Sequence, residues 1–256
     1  MNKISAYIIA YNEEEKIAAA VQSVLWADEV IVADSSSTDR TAEIAAELGA
    51  KVVQLPFTTF GKLRNDAIAA CTHEWIFSLD ADERCTSEAE KEIRQIIDAN
   101  TAKDAYYVPR RNYFMGRWIK HCGWYPDYRQ PQLFRKGVLV FEDRDEVHES
   151  YEIKGSVDHL KAAIWQFPYR NLEQLLDKAN RYSSLGAAKL SRKGIQGSMG
   201  HALLHAIGAF LRIYILKLGF LDGWAGFVIA LGNFEGVFYR YAKHIEHQQR
   251  WDKPPA

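Results

Sequence analysis

Trp75-Ile76-Phe77-Ser78-Leu79-Asp80-Ala81-Asp82-Glu83 reads as a short buried strand that runs straight into acid. Its opening residues are apolar apart from Ser78, and no turn former interrupts them. Asp80 and Asp82 are two apart, so on extended backbone their side chains share a face. Two carboxylates aimed at one point repel each other unless a cation lies between them. A hard divalent ion such as Mg2+ or Mn2+ takes oxygen ligands, often one or two carboxylates together with substrate phosphates. The stretch therefore predicts a strand end that holds a metal, which in turn holds a diphosphate. The plain alternative is an acidic strand-to-turn pair.

Upstream, strand and helix patterns alternate. Ile4 to Ala10 is an apolar strand. Asn12 then offers a helix cap, with Glu13, Glu14 and Glu15 in the first turn, where the helix dipole favours acid. Ile17, Val21, Val24 and Leu25 follow at helical spacing. Glu29 to Ala33 is a second strand and ends in the polar loop Asp34 to Asp39; Thr38 or Asp39 caps a helix that closes at Gly49. Lys51 to Leu55 is a third strand, and residues 62–71 are a helix. Such alternation predicts an α/β fold with a mostly parallel sheet, in which ligands bind beyond the carboxyl ends of the strands. Tyr11-Asn12-Glu13, Asp34 to Asp39 and Asp80 to Glu83 all sit at such ends, so a site is expected where they converge. There Asp34 accepts from a nucleobase N–H or a ribose hydroxyl, or else serves as a simple cap. Gly61-Lys62-Leu63-Arg64-Asn65 opens a helix, whose free N–H groups attract anions, and Lys62 and Arg64 add positive charge.

Downstream, a helix at about 87–99 precedes a strand from Ala105 to Pro109. Residues 110–131 read as a long aromatic and basic loop, the kind a compact domain keeps for function. Arg110, Trp118, Tyr128 and Arg129 are its candidate acceptor contacts. Short strands follow at Gln132 to Arg135, Val138 to Glu142 and Val147 to Ile153. The acidic run Glu142 to Glu149 offers a base for a sugar hydroxyl. Glu149 is the first candidate and Glu146 the second, with His148 as a metal or phosphate contact. Beyond Asn171 everything looks helical, with one helix near 171–192. Residues 1–165 are thus expected to form the catalytic domain and 166–256 a helical appendage. Apolar stretches between Ala202 and Tyr241, broken by Arg212, Lys217, Asp222, Glu235 and Arg240, suit helices lying in a membrane interface. A helical cap or a contact in a homo-oligomer is the alternative.

Composition narrows the function classes. The 256-residue chain is 48% hydrophobic, enough for a sizeable core. A net charge of −1 gives no footprint for nucleic acid, although arginines among aromatics would suit base stacking. Cys71, Cys85 and Cys122 form no CxxC pair and read as free thiols in a reducing compartment. Met1-Asn2-Lys3-Ile4 leads directly into a strand pattern, so no signal peptide is expected.

In order, Ile8-Ile9-Ala10-Tyr11-Asn12-Glu13, Asp34 to Thr41, Arg64-Asn65 and Leu79-Asp80-Ala81-Asp82-Glu83 resemble an inverting family 2 glycosyltransferase of GT-A fold. A narrower resemblance is to lipopolysaccharide core β-1,4-glucosyltransferases. It is carried by Gln132 to Arg135, Val147-His148-Glu149, His159, Lys178, Tyr182-Ser183 and Leu218 to Gly223. The resemblance implies a GT-A sheet flanked by helices and a metal-dependent transfer of a sugar from a nucleotide-sugar, commonly UDP-glucose. The acceptor it implies is a lipid-linked saccharide at the cytoplasmic face of a bacterial inner membrane. The donor set is then Tyr11, Asn12, Glu13, Asp34, Lys62, Arg64, Asn65, Asp80 and Ala81; the metal set is Asp80, Asp82 and His148, with Mg2+ or Mn2+. Ser35-Ser36-Ser37 departs from the usual form, which has Gly in that loop. The rival enzyme class, a nucleotidyltransferase, would carry an early Gly-rich phosphate loop, and none is visible. A non-catalytic nucleotide-binding protein at a membrane surface is the remaining alternative.

Overall fold

Strand β1 (Ile4–Ala10) is buried along its whole length, because both faces of the sheet around it are covered. Ile4, Ala6, Ile8 and Ala10 enter one apolar cluster, and Tyr7 and Ile9 enter another. This is how central parallel strands come to read as continuous apolar runs without alternation. The computed structural model describes residues 2–99, 102–143, 150–195 and 197–247.

From β1 the chain passes through α1 (Ile17–Gln22), β2 (Glu29–Asp34), α2 (Thr41–Glu47), β3 (Lys51–Gln54), α3 (Phe60–Ala70) and β4 (Trp75–Asp80). β5 (Glu83–Arg84), α4 (Ser87–Asp98), β6 (Ala105–Tyr107), β7 (Arg110–Phe114), β8 (Arg117–Trp118) and β9 (Pro131–Arg135) follow. Next come β10 (Leu139–Phe141), β11 (Tyr151–Ile153), β12 (Val157–His159) and β13 (Ile164–Gln166). The last helices are α5 (Leu172–Arg192), α6 (Met199–Leu211) and α7 (Gly223–Glu246). Among the described residues, the main sheet has the order β12-β6-β9-β4-β1-β2-β3. β1 is parallel to both β2 and β4, β2 to β3, and β12 to β6, while β9 runs antiparallel to β4 and β6. Helices cover both faces: Ile17, Ala20, Val21, Ile93 and Ile97 on one, Leu63, Ala67 and Ile68 on the other. This mixed sheet flanked by helices, with a helical C-terminal region, is the fold that the GT-A resemblance implied.

The chain divides into two compact units, Met1–Arg111 with Pro126–Gln166, and Asn112–Tyr125 with Phe167–Ala256. Asn112–Tyr125 joins the second unit, although the sequence pattern placed it in the first. Phe114, Ile119 and Cys122 form one apolar cluster with Leu175, Ala225 and Ile229, and that burial holds the segment there. In the second unit α7 packs along both α5 and α6. The Leu218-to-Gly223 motif acts structurally. Buried Asp222 accepts from the backbone N–H groups of Lys120 (3.2 Å) and His121 (2.9 Å). A Cβ on Gly226 would stand 1.8 Å from the Gly219 carbonyl oxygen, so α7 starts against that turn only with glycine there.

Several local expectations change. Asn12 does not cap a helix: its φ is +52°, and α1 begins only at Ile17. Thr38 does not cap α2; Asp39 Oδ1 takes the Thr41 N–H at 3.0 Å instead. Residues 110–131 are not one loop. β7 and β8 pair as Tyr113↔Trp118 and Phe114↔Arg117 around Met115-Gly116, both at positive φ, as a two-residue hairpin turn requires. β12 and β13 were not anticipated. Among the described residues, Met199–Leu216 is a helical stretch long and apolar enough by composition to cross a membrane, and it is mostly exposed. The cysteines are free thiols as expected, each pushed up to about 12 chiefly by burial.

Candidate functional site

β1 sits between β2 and β4, with Ala10 in register with Asp34 and Ile9 in register with Asp80. The chain leaves β1 toward β2 and β3 and later returns to β4 on the other side, so the strand order switches there. A crevice at such a switch, beyond the strand ends, is where α/β sheets bind ligands. The expected convergence of Asn12, Asp34 and Asp80 therefore follows from the sheet register.

Asp34 is fully buried and organises the loop after β2. Its Oδ2 accepts from the Ser37 N–H at 3.0 Å, and its Oδ1 accepts from the Ser37 hydroxyl. Ser37 Oγ in turn accepts from the Asn12 N–H (2.9 Å), and Asn12 Oδ1 takes the Thr38 N–H (2.8 Å). Ser36 adopts φ +64° to make this turn, a conformation that glycine reaches at no steric cost. The Glu13 N–H donates to Thr41 Oγ1 at 2.8 Å. Tyr11 stands exposed at the end of β1.

β4 stops at Asp80, and Ala81-Asp82 make a turn, so the two carboxylates do not share an extended strand as the spacing had implied. Asp80 Oδ1 pairs with Arg64 Nη2 at 3.0 Å, and Asp82 receives Gln166 Nε2 at 3.4 Å. Burial works against ionisation of Asp80. The guanidinium groups of Arg64, Arg110 and Arg129 outweigh it and hold the carboxyl below its usual range. Behind the turn lies a network the sequence did not assign. Fully buried Glu83 accepts from Arg110 Nε through Oε1, and from Gln132 Nε2 (2.8 Å) and the Asp80 N–H (3.0 Å) through Oε2. The available signal was a buried-strand pattern at 131–135 that carries a Gln. Arg110 Nη2 and Gln132 Oε1 are buried there without a hydrogen-bond partner.

The remaining candidates fall in different places. Arg110, expected as an acceptor contact on a loop, is fully buried on Glu83. Asn65 spends both ends of its amide on the Phe141 backbone (2.8 and 3.0 Å), which ties α3 to β10. Gly61 serves the same junction: a Cβ there would lie 2.2 Å from the Glu142 carbonyl oxygen. Lys62 is half-exposed and paired with Asp66 at 2.8 Å. Tyr128 packs edge-on against His159 (4.8 Å between centroids), and Arg129 pairs with Asp127 at 3.0 Å. Trp118 belongs to the second unit, beside Tyr125 and Lys120. Glu146, His148 and Glu149 lie outside the described residues. Among the described residues, no cluster of three or more His, Cys, Asp or Glu side chains is placed to hold a metal ion.

Residues 5–163 match the family model for Glycosyl transferase family 2. The chain is 33% identical to an uncharacterized glycosyltransferase of Rickettsia felis, covering 95% of this chain and 89% of that protein. It is 25% identical to the lipopolysaccharide core biosynthesis glycosyltransferase LpsC of Rhizobium meliloti, covering 94% and 91%. A crystal structure of glucosyl-3-phosphoglycerate synthase from Mycobacterium tuberculosis, in complex with Mn2+, UDP and glucosyl-3-phosphoglycerate, overlaps 44% of each chain at TM-score 0.37 and 24% identity.

Proposed function

This chain belongs to glycosyl transferase family 2 and is a glycosyltransferase, and from that premise we propose that it moves glucose from UDP-glucose, with inversion, to a lipid-linked saccharide of the lipopolysaccharide inner core. One observation carries the donor assignment. Asp80, paired with Arg64 at 3.0 Å, stands at the switch point of the sheet beside the Asp34–Asn12 loop. The likeness to LpsC over nearly the full length of both chains supports the acceptor class.

Asp80 and Asp82 offer oxygen donors, which suit a hard divalent ion, and substrate phosphates complete such a set. When bound there, Mg2+ or Mn2+ supplies positive charge against the charge developing on the departing diphosphate. The chain's own residues do the rest. Tyr11, Asn12 and Glu13 contact the nucleoside over the loop that Asp34 holds in shape. Arg64 orients Asp80. Ala81 leaves room for the ribose at the turn, and Lys62 adds positive charge at the start of α3. Glu149, with Glu146 as second choice, takes the proton from the acceptor hydroxyl. The hydroxyl oxygen bonds to the anomeric carbon as the bond from that carbon to the diphosphate breaks. Tyr128 and Arg129 meet the acceptor.

Attachment to the cytoplasmic face of the inner membrane is part of the same proposal. Leu204, Leu216 and Trp224 are each more than two-thirds exposed. Between residues 189 and 221 the sequence carries Lys189, Arg192, Lys193, Arg212 and Lys217 and no acid, a pattern that suits an anionic interface.

A screen of nucleotide sugars for metal-dependent release of UDP or GDP tests the reaction. UDP-glucose is expected to be turned over with Mg2+ or Mn2+, and Asp82→Ala to lower turnover by about 100-fold or more, the scale of losing one charge-stabilising group. Full turnover in Asp82→Ala would exclude the metal assignment.

A further inference from the structure

The helical unit contains a cavity of about 190 Å³ between α5 and α7, bordered by Trp124 and Tyr169. Seams between helices are ordinarily filled to close packing by aliphatic side chains. This one is lined in part by Leu175, Ile229 and Val237, but also by Lys178 and Arg240 and three aromatic rings (Trp124, Tyr169 and Tyr182), with no carboxylate among the described residues.

Two glycines of α5 and α7 bear on this space. Gly236 of α7 borders the cavity, and a Cβ there would meet nothing within 4 Å. Gly186 of α5 makes way for Arg240, since a Cβ at Gly186 would fall 2.7 Å from Arg240 Nε. Lys178 Nζ donates to the Pro168 carbonyl at 2.9 Å and stands 5.0 Å over the Tyr169 ring. Tyr169 stacks on Trp124 at 6.4 Å and 26°. The result is an aromatic wall of Trp124 and Tyr169 with the Lys178 ammonium on it, and Arg240 lines the same cavity. Electron-rich ring faces attract the polarised C–H face of a sugar. A guanidinium takes a phosphate in a two-pronged hydrogen bond.

We propose that this cavity binds a phosphorylated saccharide, with Arg240 on the phosphate and the Trp124–Tyr169 wall on the sugar ring. It rests on the transfer reading only in taking that saccharide to be part of the acceptor.

Calorimetric titration of the full chain tests it, with glucose 6-phosphate as the probe and glucose and inorganic phosphate as comparators. Glucose 6-phosphate is expected to bind saturably, and each comparator at least about tenfold more weakly. Gly236→Leu, which fills the cavity from an open helix position, and Arg240→Gln are each expected to weaken binding by about tenfold or more. Their melting temperatures and UDP isotherms should match the wild type. Absence of a saturable isotherm, equal binding of inorganic phosphate, or binding unaltered in Gly236→Leu would overturn the proposal. Failure of the wild type to bind UDP would instead sink the transfer reading and leave the cavity's isotherm to decide this one.

Discussion

Glu83 anchors the strand-end site to the core, because a fully buried carboxylate needs every partner it has. Its partners are Arg110, Gln132 and the Asp80 N–H. Removing one member of a buried pair strands the other charge, at a cost of about 3–5 kcal/mol. Arg110→Met and Glu83→Gln are each expected to destabilise the protein on that scale in urea unfolding. The double variant should lose less than the sum of the two, as a coupled pair requires. Asp80 adds a pH dependence. Its folded-state pKa lies below the unfolded value near ~3.9, so its contribution is present above that pH and is lost as the pH falls through the folded value. Arg64→Gln removes the paired guanidinium and raises that pKa, so its acid unfolding should begin at higher pH than in the wild type. Identical acid limbs in the two proteins would mean that Arg64 does not hold Asp80 ionised.

At the scale of elements, two junctions decide how segments meet. α3 is pinned to β10 by the Asn65 amide, and α7 starts against the Gly219 turn because Gly226 has no side chain. Gly226→Ala drives a methyl into the Gly219 carbonyl, and overpacking of this kind costs roughly 1–3 kcal/mol. A matching drop in stability by chemical denaturation is expected, and an unchanged midpoint would contradict the packing described. Most of the strands and helices up to α5 were legible, because their apolar periods are local signals, whereas several of the caps were not read. Thr59, Thr86 and Asn171 cap α3, α4 and α5 by accepting backbone N–H bonds at their first turns. The β7–β8 hairpin was hidden because Met115-Gly116 is not a common turn pair and Arg117-Trp118 is too short to show a period. β12 was hidden because Val157-Asp158-His159 is exposed throughout and has no apolar face to show, and β13 because its outward residue is Trp165 and one of its buried ones is Gln166, which blurs the alternation.

For the whole molecule, most of the exposed large apolar side chains among the described residues fall from Leu172 onward. The wild type is expected to sediment with anionic vesicles and to be released by salt. Leu216→Glu with Trp224→Glu should leave most of the protein in the supernatant, while neutral vesicles should bind the wild type weakly. Full solubility of the wild type beside anionic vesicles would remove the membrane attachment. By itself, the sequence determined the α/β alternation, the three acidic and polar strand ends, and the family, because each is written in short runs of adjacent residues. The tertiary structure decided which polar groups are tied into the fold itself. Asn65, Arg110, Glu83 and Asp222 are tied to partners 76, 27, 49 and 102 positions away. Pairing over such distances depends on strand order and helix packing, which no local pattern of residue types records.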